Sequence, residues 1–230
     1  MPRDSISRIA GFLRDKAAQL EEKIVRKARQ IREINEAAQR AQEARSAHFQ
    51  GRNDRALEQF AAVLELDPGH SESVSSLYEI LAEEPAMAPK LTPVLDRLPA
   101  DHAHTLLLRA LVAYCTACTE SKAAARSAAL KSSFEAATAS LKAAEAGLTR
   151  TLLGKIWYRK RRHKSAAREL LVGIETTPVD AEAHAMLGAS LLRQGQPYDA
   201  LTHLQIASML DPTLPEVKLL EAAQRSAHNV

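Results

Sequence analysis

A period of 34 residues in the second half of the chain constrains its fold more than any other feature. In residues 181–214, Leu187 and Gly188 are followed by Leu191, then Gly195, then Ala200, Leu204 and Ala207, then Pro212. Thirty-four residues earlier, Leu153, Gly154, Trp157, Ala166, Leu170, Gly173 and Pro178 hold the corresponding places. A more distant copy over 37–70 carries Ala44, Ala47, Gly51, Ala56, Phe60, Val63 and Pro68 in register. Self-similarity at a fixed period specifies a stack of like units, since one such unit cannot bury its apolar face alone. Each unit reads as two helices joined by a turn. Gly188 with Ala200, and Gly154 with Ala166, are small where two backbones must approach. Leu191 or Trp157, with Leu204 or Leu170, fill the space beside them. The proline stops the second helix and forces the next turn.

These small, large and proline positions resemble the tetratricopeptide repeat, a unit of helix, turn and antiparallel helix. The resemblance is close over 147–180 and 181–214 and looser over 37–70. It implies an all-α, TPR-like solenoid that acts as a non-catalytic protein–protein interaction scaffold, an adaptor or an assembly chaperone. Members of the family commonly hold a partner segment on the concave face lined by first helices, at the second, fifth, ninth, twelfth and thirteenth positions of each unit. Carried onto this sequence, those positions are Ala38, Ala41, Arg45, His48 and Phe49 in the first unit. They are Leu148, Thr151, Lys155, Tyr158 and Arg159 in the next, and Glu182, Ala185, Ala189, Leu192 and Arg193 in the last. The implied groove is mixed. Arg45, Lys155, Arg159 and Arg193 could pair carboxylates of a partner, and Phe49, Tyr158 and Leu192 supply apolar anchors beside His48. The Lys and Asn combination with which chaperone-binding members hold a terminal carboxylate is not matched.

Composition agrees with helices. The chain of 230 residues is 46% hydrophobic but only 4% aromatic, with 8 glycines; strands would require more β-branched and aromatic residues. Residues 4–46 read as one long helix capped by Asp4 or Ser5, with Gly11 as its only breaker. Ile6, Ala10, Leu13, Ala17, Leu20, Ile24, Ile31, Ile34, Ala38 and Ala41 recur in alternating steps of four and three, with Lys27 as the single misfit. That heptad seam over 6–41 requires an apolar partner, either the first repeat helices or a second copy of the chain. The expected organisation is thus a heptad helix over 1–36, a repeat over 37–70, a degenerate stretch over 71–146, two repeats over 147–214 and a capping helix over 215–230.

In the degenerate stretch, Val74, Leu77, Tyr78 and Leu81 mark a first helix. Pro85, Pro89 and Pro93 interrupt its partner, leaving a short helix near Leu91 to Leu98. Residues 103–116 read as another first helix. An Ala-rich helix from about Lys122 to Ala146 follows, with Leu130, Phe134, Ala137, Leu141 and Ala144 on one face and Gly147 as its end. Val217, Leu219, Leu220 and Ala223 suit a terminal cap.

Charge and chemistry narrow the function classes. A net charge of +3, from 31 basic and 28 acidic residues, is too small to dictate a nucleic-acid or membrane partner over the whole surface. The local run Arg159, Lys160, Arg161, Arg162, His163 and Lys164 could meet an acidic peptide, nucleic acid or an anionic membrane, or serve only as a solvated turn. Nucleic acid would call for further basic stripes and stacking aromatics, which are missing. The competing function is therefore an electrostatic binder working through residues 159–164 and the N-terminal helix.

Cys115 and Cys118 form a C-x2-C but follow no strand, and His104 would lie about 16 Å from Cys115 along a helix, out of reach of a shared metal. They read as two small buried residues at a helix contact. No cofactor or metal site is expected, and no catalytic motif occurs. Too few cysteines for a disulfide framework, and no apolar run fit for a signal peptide or a membrane span, point to the cytoplasm.

Overall fold

The structure, a computed structural model, describes residues 3–228, with side chains described from residue 16 apart from 17, 226 and 228. Every regular element among the described residues is helical. None of these helices is long and apolar enough to cross a membrane. The chain divides into two compact units, Met1–His70 and Ser71–Val230.

The first unit pairs α1 (Arg3–Phe49) with α2 (Asn53–Leu66). Ala37, Ala41, Ala44 and Ala47 form the buried stripe of α1, and Ala56, Leu57, Phe60, Ala61, Val63 and Leu64 form that of α2. Alanines at this spacing let the two backbones approach closely while Phe60 fills the interior. Leu20, Ile24, Ile31 and Ile34 behave differently, each with more than half of its surface in solvent. The heptad seam therefore does not fold back on the repeat along this stretch, and Ala38 is exposed as well. The column facing α2 runs instead through Ala37, Ala41, Ala44 and Ala47, and shares only Ala41 with the seam. Ile6, Ala10, Leu13 and Ala17, with the Asp4 or Ser5 cap, lie outside the described side chains.

The second unit begins with α3 (Ser71–Glu83), a 3-10 turn (Pro85–Met87) and α4 (Ala88–Leu95). Pro89 sits in the first turn of α4, where its missing N–H costs nothing. The three prolines thus shorten α4 without abolishing it. Three helix pairs follow: α5 (Ala103–Thr119) with α6 (Ala123–Ala143), α7 (Gly147–Arg159) with α8 (His163–Gly173), and α9 (Ala181–Leu192) with α10 (Pro197–Leu210). The expected end of α6 needs correction: it stops at Ala143, with Ala144 extended, and Gly147 opens α7. A 3-10 turn (Pro215–Leu219) leads to α11 (Leu220–His228), which packs on α10. Ala223 is buried there, and the Tyr198 hydroxyl donates to the Ala227 carbonyl at 2.8 Å.

The repeat signature has a direct cause in packing. A Cβ on Gly154 would lie 2.4 Å from Leu170 Cγ, and one on Gly188 would lie 2.7 Å from Leu204 Cγ and 3.0 Å from the Ala200 carbonyl oxygen. No side chain fits at either crossing. The turns between paired helices repeat as well. Residues 52, 162 and 196 each donate a backbone N–H to the carbonyl five residues earlier, the closure of a Schellman motif. The residue before each donor is left-handed: Gly51 at φ 70°, Arg161 at 59° and Gly195 at 74°. First helices lie beside one another, α3 on α5, α5 on α7 and α7 on α9. This row brings the candidate site together.

Candidate functional site

The first helices α3, α5, α7 and α9 place polar side chains into this row, and the strongest junction forms where α7 meets the start of α9. Lys155 Nζ lies 2.7 Å from Asp180 Oδ2 and 3.1 Å from Glu182 Oε2, and Lys155 is only 2% exposed. Asp180 also caps α9, its Oδ1 accepting the Ala183 N–H at 2.9 Å. Glu182 Oε1 accepts from Arg159 Nη2 at 2.8 Å and from the Tyr114 hydroxyl at 3.0 Å. The Tyr78 hydroxyl approaches Asp180 Oδ2 at 3.5 Å, and the Lys155 ammonium stands 5.5 Å from the Tyr78 ring centre. Four first helices are thereby joined through one buried polar network.

The electrostatics follow from this geometry. Burial alone would lower the Lys155 ammonium, but Tyr78, Asp180 and Glu182 more than offset it and hold it well above the lysine range. Burial alone would raise the Glu182 carboxyl, and the charges of Lys155 and Arg159 instead hold it below its ordinary value. Tyr78 and Tyr114 are pushed up by burial first, so both phenols stay protonated and donate. Two cations thus face two carboxylates, and the network is neutral within the chain.

The residues expected to line a groove therefore divide. Lys155 and much of Arg159 are engaged by acids of the same chain. Tyr158 and Leu192 are half-buried against the α7–α10 core, and Arg193 is exposed at the end of α9. The Tyr158 hydroxyl is pushed up to about 12 by burial first and then by the Glu216 carboxylate, with Arg193 close enough to oppose the shift. Tyr158, Leu192, Arg193 and Glu216 form the accessible part of the face. Arg45, His48 and Phe49 belong to the first unit, where Phe49 is 94% exposed and His48 Nδ1 lies 2.8 Å from Asn53 Oδ1. In the basic run, Lys160 stands 5.0 Å from the Phe134 ring centre and 5.8 Å from that of Trp157, while Arg161, Arg162 and Lys164 are exposed.

The C-x2-C reading holds for one cysteine and needs correction for the other. Cys115 is buried, its thiol directed at the Leu81 carbonyl at 3.6 Å and pushed up to about 12 by burial. Cys118 is exposed, one residue before α5 ends at Thr119. Asp180 and Glu182 are the site residues that sequence reasoning overlooked as partners of Lys155. The available signal was an acid at the second place of one unit facing a base at the ninth place of the unit before.

No family model matches the sequence, and no curated protein matches it. Solved structures match its fold. TTC0263, a thermophilic TPR protein of Thermus thermophilus, is 12% identical with a TM-score of 0.56, over 83% of this chain and 98% of its own. YrrB, a TPR protein with an unusual peptide-binding site, is 14% identical with a TM-score of 0.40, over 81% and 90%. The MamA protein is 13% identical with a TM-score of 0.41, over 77% and 92%.

Proposed function

We propose that this chain, which has the tetratricopeptide-repeat fold, is a non-catalytic protein–protein interaction scaffold, an adaptor or assembly chaperone that holds a partner segment on the Tyr158, Leu192 and Arg193 face. One observation carries the reading: the charges behind that face are neutralised internally by Asp180 and Glu182. The row of first helices is then a braced support, and its accessible edge offers the Tyr158 ring, the Leu192 side chain and the Arg193 cation beside the Glu216 carboxylate. That is the composition of a small interaction hot spot. The acidic character of the partner rests on Arg193, Arg161, Arg162 and Lys164, none of which forms a salt bridge among the described residues. A cytoplasmic setting belongs to the same reading, since both cysteines are free thiols.

Capture on the immobilised full chain at low and high salt tests this reading. It predicts a discrete polypeptide retained at high salt and lost from Leu192→Ala/Arg193→Glu. Recovery of nucleic acid or lipid alone, released by salt, would replace it with the electrostatic binder.

The exposed seam of α1 favours a second contact, pairing with another copy of the chain through Leu20, Ile24, Ile31 and Ile34. Sedimentation equilibrium of the full chain checks it. A concentration-dependent dimer that Ile24→Glu/Ile31→Glu dissociates is expected, and a monomer at all concentrations would exclude it.

A further inference from the structure

An open cleft of about 470 Å³ lies between α6 and the end of α7, lined chiefly by Arg126, Ser127, Leu130 and Lys131 from α6, by Arg159, the last residue of α7, and by Lys160 just after it. On α6, the four-residue spacings Arg126 to Leu130 and Ser127 to Lys131 put two adjoining rows on one helix face. The end of α7 supplies the opposite wall. Of these lining residues, only Arg159 appeared in the groove expected from the repeat register.

The charge in the cleft is unbalanced. Arg126 forms no ion pair among the described residues, and Lys131 has only an exposed 3.9 Å contact with Glu135. Lys160 rests over the Phe134 and Trp157 rings instead of an acid. Arg159 directs Nη2 to Glu182 and Nε to the Tyr114 hydroxyl, so its charge is met within the chain. No acidic residue lines the cleft. Like charges converging on a concave, partly apolar wall raise the local potential, and an entering anion relieves it.

We infer that this cleft is a carboxylate-binding site for an acidic segment of a partner protein. Asp or Glu side chains of the segment meet Arg126, Lys131 and Lys160, and an aliphatic side chain lies on Leu130. The inference rests on the scaffold reading and names the chemistry of the partner. Single-stranded nucleic acid fits less well. Phe134 and Trp157, the aromatic rings beside Lys160, pack edge to face at 4.8 Å beneath its ammonium and offer bases little stacking surface. An anionic membrane presents a plane, whereas these cations line a recess around an aliphatic residue.

Fluorescence anisotropy of the full chain with a labelled Glu-rich peptide containing interspersed Leu and Gly tests the site. A Lys-for-Glu peptide serves as the control. Arg126→Glu/Lys131→Glu reverses two exposed side chains, and its thermal melt should match the wild type. The wild type should bind the Glu-rich peptide and not the control. Affinity should fall about tenfold or more in the reversed variant and return in Arg126→Lys/Lys131→Arg. Equal binding by wild type and reversed variant would overturn the site. So would displacement of the peptide by single-stranded DNA or phosphatidylserine vesicles at lower charge concentration than by unlabelled peptide. A partner captured through Leu192 and Arg193 and held equally by the reversed variant would leave the scaffold standing and remove only the cleft.

Discussion

Lys155 Nζ lies 2.7 Å from Asp180 Oδ2, while the other oxygen of the same carboxylate caps α9. One side chain therefore both starts a helix and ties it to the helix of the preceding repeat. Removing one partner of a buried pair leaves an uncompensated charge and costs about 3–5 kcal/mol. Lys155→Met should lower the melting temperature by roughly 10 °C. Adding Asp180→Asn, which keeps a capping side chain, should recover part of that loss, so the double variant costs less than the sum of the singles. Calorimetry of the four proteins checks this; strictly additive losses would show that the two residues do not act as a pair.

Glu182 gives the network a pH dependence of defined sign. Burial would raise its carboxyl, and Lys155 and Arg159 overcome that and hold it below its ordinary value. The folded chain therefore releases this proton more readily than the unfolded chain does. Its contribution is fully present above the unfolded value of about 4.3 and is lost as pH falls through the folded value. Glu182→Gln should flatten the fall in stability below about pH 4.3 in urea titrations, and an unchanged slope would contradict the pairing.

The His184 and His203 rings meet with their Nδ1 atoms 3.1 Å apart, and His184 Nε2 lies 3.2 Å from the Pro178 carbonyl. A carbonyl only accepts, so His184 carries its proton on Nε2 and accepts at Nδ1 from His203. Burial lowers both rings, and the nearby His184 ring adds to the shift at His203. Here the unfolded chain binds protons more readily. Stability is full above about pH 6.5 and declines as pH falls from there toward the folded values. His203→Asn should remove part of this slope, and NMR titration of the wild type should place both rings below the free histidine value.

Arg161 occupies the left-handed turn position that Gly51 and Gly195 hold in the other repeats. A non-glycine residue there costs roughly 1 kcal/mol. Arg161→Gly should stabilise the chain by about that amount, and Gly195→Ala should destabilise it similarly. Denaturant unfolding of the two variants checks the opposed signs.

What the sequence displayed was local and periodic. Gly154 and Gly188 stood out because close crossings recur at one spacing, and the helices of 147–214 follow from them. The network did not stand out, because Tyr78 and Asp180 are 102 residues apart and Tyr114 and Glu182 are 68 apart. Lys155 read as a groove cation since register alone does not show whether a neighbouring unit supplies its acid. The seam of α1 was visible, but which of its residues are covered, Ala41 and not Ala38, depends on where α2 docks. Arg126 and Lys131 drew no attention because they sit in an Ala-rich stretch whose place beside Lys160 appears only in three dimensions.

Site-specific photo-crosslinking bears most directly on the claim that the α7–α9 face holds a partner protein. A crosslinking residue at Leu192 is compared with one at Met209, which is 86% exposed on the second helix of the same pair. A scaffold of this kind predicts one discrete polypeptide crosslinked from position 192, absent from 209, and lost when Arg193→Glu is added. Equal or absent crosslinking at both positions would contradict it.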